Sequence, residues 1–254
     1  MNERDGPQPR NAGSWAGKVD RLTVTGESPG ANVAGRRLTG PVQGFGKMWR
    51  KTYRINVGPG VSPKAVIATW KEHFGQFWPG GNRFEGPLTG LSPGDVALLD
   101  VAVGGGVRLS TGVFVLYADD ESFTLMTPQG HMFAGWITFS AEAAAAPGQP
   151  ATEPGASTVV QTQVLMRAND PLYELAMSLG GHRKEDQFWV KTMTALAAYL
   201  GAPPAPVHTR TVCIDPRRQW GNAGHVWHNS MVRSTLHAVA APLGALAQRR
   251  RRDG

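Results

Sequence analysis

Residues 159–200 read VVQTQVLMRANDPLYELAMSLGGHRKEDQFWVKTMTALAAYL, and the order of patterns in this stretch decides the fold. Its first ten residues alternate: Val160, Thr162, Val164 and Met166 share one parity, with Gln161, Gln163 and Arg167 on the other. That is a half-buried strand whose apolar side faces a core. Asp170-Pro171 then supplies a capping carboxylate and a proline at the first helical position. Leu172, Leu175, Ala176 and Leu179 follow on one helical face until Gly180-Gly181 breaks it. A longer helix over 184–200 carries Trp189, Met193, Leu196, Ala197 and Leu200 as an apolar stripe, ended by Gly201 and Pro203-Pro204. A long striped helix must bury its stripe, and the preceding strands are the surface available.

Those strands lie upstream. Short apolar runs at 96–103, 107–117, 123–127 and 136–140 are separated by Ser92-Pro93-Gly94-Asp95, Gly104-Gly105-Gly106, Asp119-Asp120-Glu121 and Gly130-His131. Consecutive strands joined by turn residues predict an antiparallel meander. The Ala/Pro/Gly-rich segment 142–157 reads as a long hairpin loop within it. Further upstream, FGKMWRKTYRINV at 45–57 places Tyr53, Ile55 and Val57 on one parity and ends at Gly58-Pro59-Gly60. Ser62-Pro63 opens a helix that stops by Trp78-Pro79-Gly80-Gly81.

The fold class expected is α+β, a curved antiparallel sheet wrapped around a long C-terminal helix. Residues 41–201 form this domain, preceded by a disordered arm over 1–40 that has few large apolar residues. Residues 202–254 form a tail with an amphipathic basic helix, where Val232, Leu236, Val239 and Leu243 precede Arg249, Arg250, Arg251 and Arg252. In the tail, Trp220, Trp227 and His228 are expected to dock onto the domain, and Cys213, between Val212 and Ile214, to be buried and inert.

This order of elements resembles the helix-grip fold of the START-like SRPBCC superfamily, and the spacing Gly130-His131, Gly135, Phe139 is similar to that of an uncharacterised branch of the group. Around the second glycine that branch is often acidic, whereas this chain has Phe133, Ala134, Trp136 and Ile137. The resemblance covers residues 45–201. It implies a cavity between sheet and helix that holds a small hydrophobic or amphipathic molecule, with Tyr117, His131, Trp136, Thr162, Val164, Met166, Trp189 and Met193 as the ligand-contacting set. The superfamily also holds polyketide cyclases. An alternative is therefore a cyclase- or dehydratase-type enzyme on the same scaffold, with His131 or Arg167 as acid, base or charge stabiliser.

Charge narrows the partners. The 254 residues carry a net charge of +7, yet this resolves into +4 over 1–50, −3 over 51–201 and +6 over 202–254. An acidic central domain is unsuited to a phosphate backbone, so no nucleic-acid partner is expected. The four terminal arginines instead suggest a further alternative, a membrane-surface or partner-docking protein whose basic tail makes weak peripheral contact with an anionic membrane or docks an acidic partner. One cysteine excludes an internal disulfide. The N-terminus lacks the apolar core of a signal peptide and no run is long enough to span a bilayer, so a cytoplasmic protein is expected. His225 and His228, three residues apart, lack a defined set of further ligands, the glycine runs lack nucleotide-binding spacing, and no metal or cofactor is expected. Asp119 to Glu121 reads as a solvated hairpin tip.

Overall fold

A computed structural model of the chain describes residues 11–24, 32–104, 107–144 and 156–233. Its strands, in chain order, are β1 (Leu38–Thr39), β2 (Met48–Gly58), β3 (Arg83–Glu85), β4 (Val96–Gly104), β5 (Val107–Ala118), β6 (Ser122–Pro128), β7 (Phe133–Ala144), β8 (Ser157–Ala168) and β9 (His208–Asp215). The helices are α1 (Pro63–Glu72), α2 (Pro171–Ala176) and α3 (His182–Tyr199). Among the described residues all nine strands belong to one antiparallel sheet, ordered β3-β4-β5-β6-β7-β8-β2-β9 with β1 paired to β6. Register shifts within β2, β4 and β5 insert bulges, which bend a sheet. The sheet bends around α1 and α3.

Local chemistry sets the helix ends. The Ser62 hydroxyl accepts from the Ala65 N–H at the start of α1. Asp170 Oδ1 accepts from the Leu172 and Tyr173 N–H groups at the start of α2. Between α2 and α3 the turn Met177–Gly181 leaves helical geometry at Leu179 and Gly180, the latter at φ 111°, so the two helices are distinct. The expected helix face of Leu172, Leu175 and Leu179 is turned outward and exposed, because Tyr173 and Met177 supply the buried side of α2.

Alternation places Tyr53, Ile55 and Val57 of β2, Val113 and Val115 of β5, and Val160 and Val164 of β8 in the core. Val66, Ile67 and Trp70 from α1 and Met193, Leu196 and Ala197 from α3 meet them. At the centre Phe123 stacks on Phe139 at 4.6 Å between ring centroids, with Trp70 and Phe74 edge-on to Phe139 at 4.9 and 5.0 Å. The last position of the Gly130, Gly135, Phe139 spacing is thus a core aromatic.

Three departures concern the flanks. The arm expected over 1–40 includes residues 11–24 and 32–40, which lie on the outer face of the sheet. There Leu22 and Val33 bury with Phe114, and Trp15 packs edge-on against Tyr117. The rest of that arm, 1–10 and 25–31, lies outside the described residues. In the tail, residues 208–215 form β9 against β2, so the sheet extends past the boundary expected at 201. β9 is an edge strand exposed on both faces, and Cys213 is consequently exposed rather than buried. Trp220 touches Phe45 at 5.2 Å between centroids yet remains mostly exposed, as does Trp227, so neither anchors the tail. That role falls to Asn229, which donates to Asp170 Oδ2, and to Ser230, whose N–H donates to Gly130 O. The basic helix and Arg249 to Arg252 lie outside the described residues. No helix among the described residues is long and apolar enough to cross a membrane.

Candidate functional site

Between the concave face of the sheet and α3 lies a cavity of about 620 Å³. Its walls come from inward positions of consecutive strands: Leu99 and Val101, Val113, Leu125, Ile137, then Val164 and Met166. Phe188 and Trp189 of α3, Phe74, Trp78 and Phe133 add aromatic surface, and Tyr173 and Met177 close one side. Met231, in the segment anchored by Asn229, also lines it, and its N–H donates to the Tyr173 hydroxyl oxygen at 3.1 Å. The exposed lining residues Leu179, Lys184, Gln187 and Lys191 mark its rim. Volume and lining suit a drug-sized apolar molecule.

The fold is a helix grip. No protein-family model and no curated protein matches the chain. Among solved structures, the di-domain ARO/CYC StfQ from the steffimycin biosynthetic pathway is similar at 9% identity and TM-score 0.43 over 61% of this chain and 51% of that one. This chain thus spans about half of that protein's length. Ara h 8.0201 aligns at 14% identity and TM-score 0.38 over 59% of this chain and 97% of that one. Ginseng major latex-like protein 151 from Panax ginseng aligns at 13% identity and TM-score 0.34, over 59% and 97% respectively.

Of the residues expected to contact a ligand, His131, Trp136, Val164, Met166 and Trp189 border the cavity. Trp136 belongs to the wall mainly through its position on β7: its ring lies toward Gly40 on the outer face of the sheet. Tyr117, Thr162 and Met193 are not in the wall. Tyr117 contacts Trp15 and donates to Asp119 Oδ2, because the bulge after Val115 turns it outward. Thr162 and Met193 are fully buried deeper in the core.

Arg167 is also outside the cavity. It reaches across the sheet edge to donate to Arg217 O at 2.8 Å and Asp215 Oδ2 at 2.7 Å, so it fastens the tail and is not placed for catalysis in the cavity. Together with Arg217, whose hydrogen bonds are the larger influence, it holds the Asp215 carboxyl well below its ordinary range. Among the described residues no group of three His, Cys, Asp or Glu side chains is placed to hold a metal ion, and His228 Nδ1 lies 3.0 Å from an Arg36 guanidinium nitrogen.

His131 is 8% exposed although it directly follows the turn glycine Gly130. The Phe133 N–H, which can only donate, lies 3.0 Å from Nδ1. Nδ1 also lies 3.3 Å from the Phe133 carbonyl oxygen, so the backbone two residues on holds the ring in either tautomer. Burial pulls the imidazole down to about 4, with the Phe133 backbone contact pulling weakly the other way. The unfolded chain therefore takes up a proton near pH 6.5 that the folded ring refuses until about 4. The contribution to stability is present above pH 6.5 and is lost as pH falls through this window, by up to about 3 kcal/mol. Urea denaturation at pH 7 and pH 4 should show His131→Asn losing that much less than the wild type between the two, and an identical loss in both would show that a buried neutral His131 is not the source.

A polar cluster that the motifs did not disclose stands at one end of the cavity. Lys51 of β2 is fully buried, with Nζ 2.8 Å from Asp186 Oδ1 and 2.8 Å from Glu185 Oε2. The Tyr53 hydroxyl donates to the same Asp186 oxygen at 2.7 Å. Glu185 lines the cavity, and its side chain is 7% exposed. Its Oε2 holds ion-pair distance to Lys51 without hydrogen-bond geometry, and its Oε1 has no hydrogen-bond partner. Burial pushes Glu185 up to about 7, against the opposing pull of Lys51. The parity of Tyr53 and Ile55 already puts Lys51 on the inner face, which is the sequence signal for this cluster.

Proposed function

We propose that the protein binds a small hydrophobic or amphipathic molecule in the cavity between the sheet and α3. The observation that carries this reading is the cavity itself: about 620 Å³ of space walled by aliphatic and aromatic side chains, at a place where a domain of this size would ordinarily pack to density. A void lined by Val101, Ile137, Val164 and Trp189 forfeits dispersion contacts that a bound apolar molecule restores.

Filling the cavity tests the proposal. Val101→Trp, at a half-buried lining position near the sheet edge, should weaken binding of the apolar dye 8-anilinonaphthalene-1-sulfonate by about tenfold or more, with a melting temperature near that of the wild type. Unchanged dye binding would place the apolar site elsewhere. Native mass spectrometry of protein purified from its own host should show a copurified small molecule.

One observation favours a second reading, an acid–base enzyme of the cyclase or dehydratase sort. Glu185, with its carboxyl near 7 in an apolar wall, is matched to proton transfer at neutral pH. Buried ion-pair networks perturb carboxylates in the same way, so ligand binding remains the primary proposal.

A further inference from the structure

We propose that Glu185 is the hydrogen-bond acceptor of the cavity and that it selects uncharged apolar ring compounds carrying a hydroxyl group. The inference rests on the cavity-binding reading above and adds the chemistry of the occupant. It begins from the local charge balance. Lys51 brings one positive charge, and Asp186 one negative charge that also receives the Tyr53 hydroxyl. These two offset each other, leaving the Glu185 charge as the excess, on a residue that lines an apolar space and whose Oε1 has no partner. A buried polar atom without a partner costs free energy that a donor from the ligand would recover.

The surroundings decide which donor. A cationic ligand would stand beside the Lys51 ammonium, already 2.8 Å from Glu185 Oε2, and would pass the rim lysines Lys184 and Lys191. An anionic ligand would meet the excess negative charge of Glu185 in the cavity wall. An uncharged hydroxyl avoids both repulsions and donates to the carboxylate, a charge-assisted bond stronger than one between neutral groups. Ring compounds match the aromatic walls of Phe74, Trp78, Phe188 and Trp189.

The groups facing Glu185 are Lys51 and Tyr53 from β2 and, on its own helix, Asp186 and His182. His182 is held down near 4, chiefly by burial, and Tyr53 far above its ordinary value, so neither titrates between pH 5.5 and 8. Glu185 does, and as its carboxylate takes up a proton it becomes a weaker acceptor. Discrimination in favour of a donor should therefore fall as pH falls through about 7.

Calorimetric titration with 2-naphthol and 2-methoxynaphthalene tests this, because the ether keeps the rings and the oxygen and loses only the donated proton. At pH 8 the full chain should bind 2-naphthol about tenfold more tightly than the ether. Glu185→Met should bring the two within about twofold while still binding the ether, and its fold should persist because Lys51 retains Asp186. Should that variant fail to fold, the wild-type preference measured from pH 8 to 5.5 serves instead: it should shrink several-fold, and a constant ratio overturns the inference. Equal binding of both compounds to the wild type at pH 8 overturns the acceptor role and leaves the cavity reading intact. Binding of neither overturns both.

Discussion

Replacing Lys51 by methionine is expected to cost about 3–5 kcal/mol of folding stability at pH 8, measured by urea denaturation. Methionine fills nearly the same volume and keeps an apolar stem among the residues of β2, so the loss is electrostatic. Without the ammonium, Glu185 and Asp186 are neighbouring carboxylates with no cation between them, and Glu185 is almost wholly withdrawn from water. Two features separate this from a packing defect. Lys51 opposes the upward shift of Glu185, so its removal sends that carboxyl above 7, and the penalty should be smaller at pH 5.5 than at pH 8. The double variant Lys51→Met/Glu185→Met should also recover most of the loss, because Asp186 is partly exposed and keeps the Tyr53 hydroxyl. Equal stability of Lys51→Met and wild type at pH 8 would show that Lys51 does not hold the cluster.

The same residue shows what the sequence made legible. Alternation in β2 and β8 identifies an inner face without ambiguity: Tyr53, Ile55, Val57, Val160, Thr162 and Val164 are all buried. Lys51 shares that parity, but a lysine on an inner face is informative only once its partners are known, and those are supplied by α3, more than a hundred residues later. The helices were legible for a local reason, since Ser62-Pro63 and Asp170-Pro171 satisfy their own orphan N–H groups. β9 lacks any such local cause. Residues 208–215, HTRTVCID, show no apolar face because both faces of this edge strand meet solvent, and the strand exists through its pairing with β2. Leu22 and Val33 likewise look like isolated apolar residues in a polar arm until the outer surface of β5 brings them to Phe114.

The candidate site divides along the same line. Its walls could be read from period-two patterns, which is why Val164 and Met166 are found where the alternation puts them. Depth could not be read in this way. Thr162 has the same parity as Val164 but lies under the packed part of the sheet, and Tyr117 is turned out by a bulge that no local residue type announces. His131 is buried because residues 228–231 return over the β6–β7 turn: Ser230 N–H donates to Gly130 O, and the His228 carbonyl lies against the Gly130 backbone. A closure of that span depends on the anchoring of Asn229 to Asp170, a tertiary contact between the cap of α2 and the tail.

Gly135→Ala should be among the most damaging single-methyl additions in the chain, lowering stability by about 3 kcal/mol or more or preventing folding. Gly135 stands on β7 directly opposite Met166 of β8, whose backbone approaches it closely. A Cβ there would fall 2.1 Å from Leu165 O and 2.9 Å from Met166 Cα. Neither atom is a flexible side-chain end, so relief requires displacing β8 from β7. That displacement would break ladder bonds and shift Val164 and Met166, which form the cavity wall across from α3. The Gly135 N–H also donates to the Thr127 hydroxyl, and its carbonyl accepts from the same group, tying β7 to β6 at this residue. Gly94→Ala provides the contrast: at φ 97° it carries backbone strain, but nothing lies within 4 Å of its added Cβ, so its cost should stay near 1 kcal/mol. Thermal and urea unfolding of the two variants should therefore differ severalfold in loss. A Gly135→Ala protein as stable as Gly94→Ala would mean that β7 and β8 can separate freely at this point, and that the glycine in the Gly130, Gly135, Phe139 spacing is there for another reason than close strand approach.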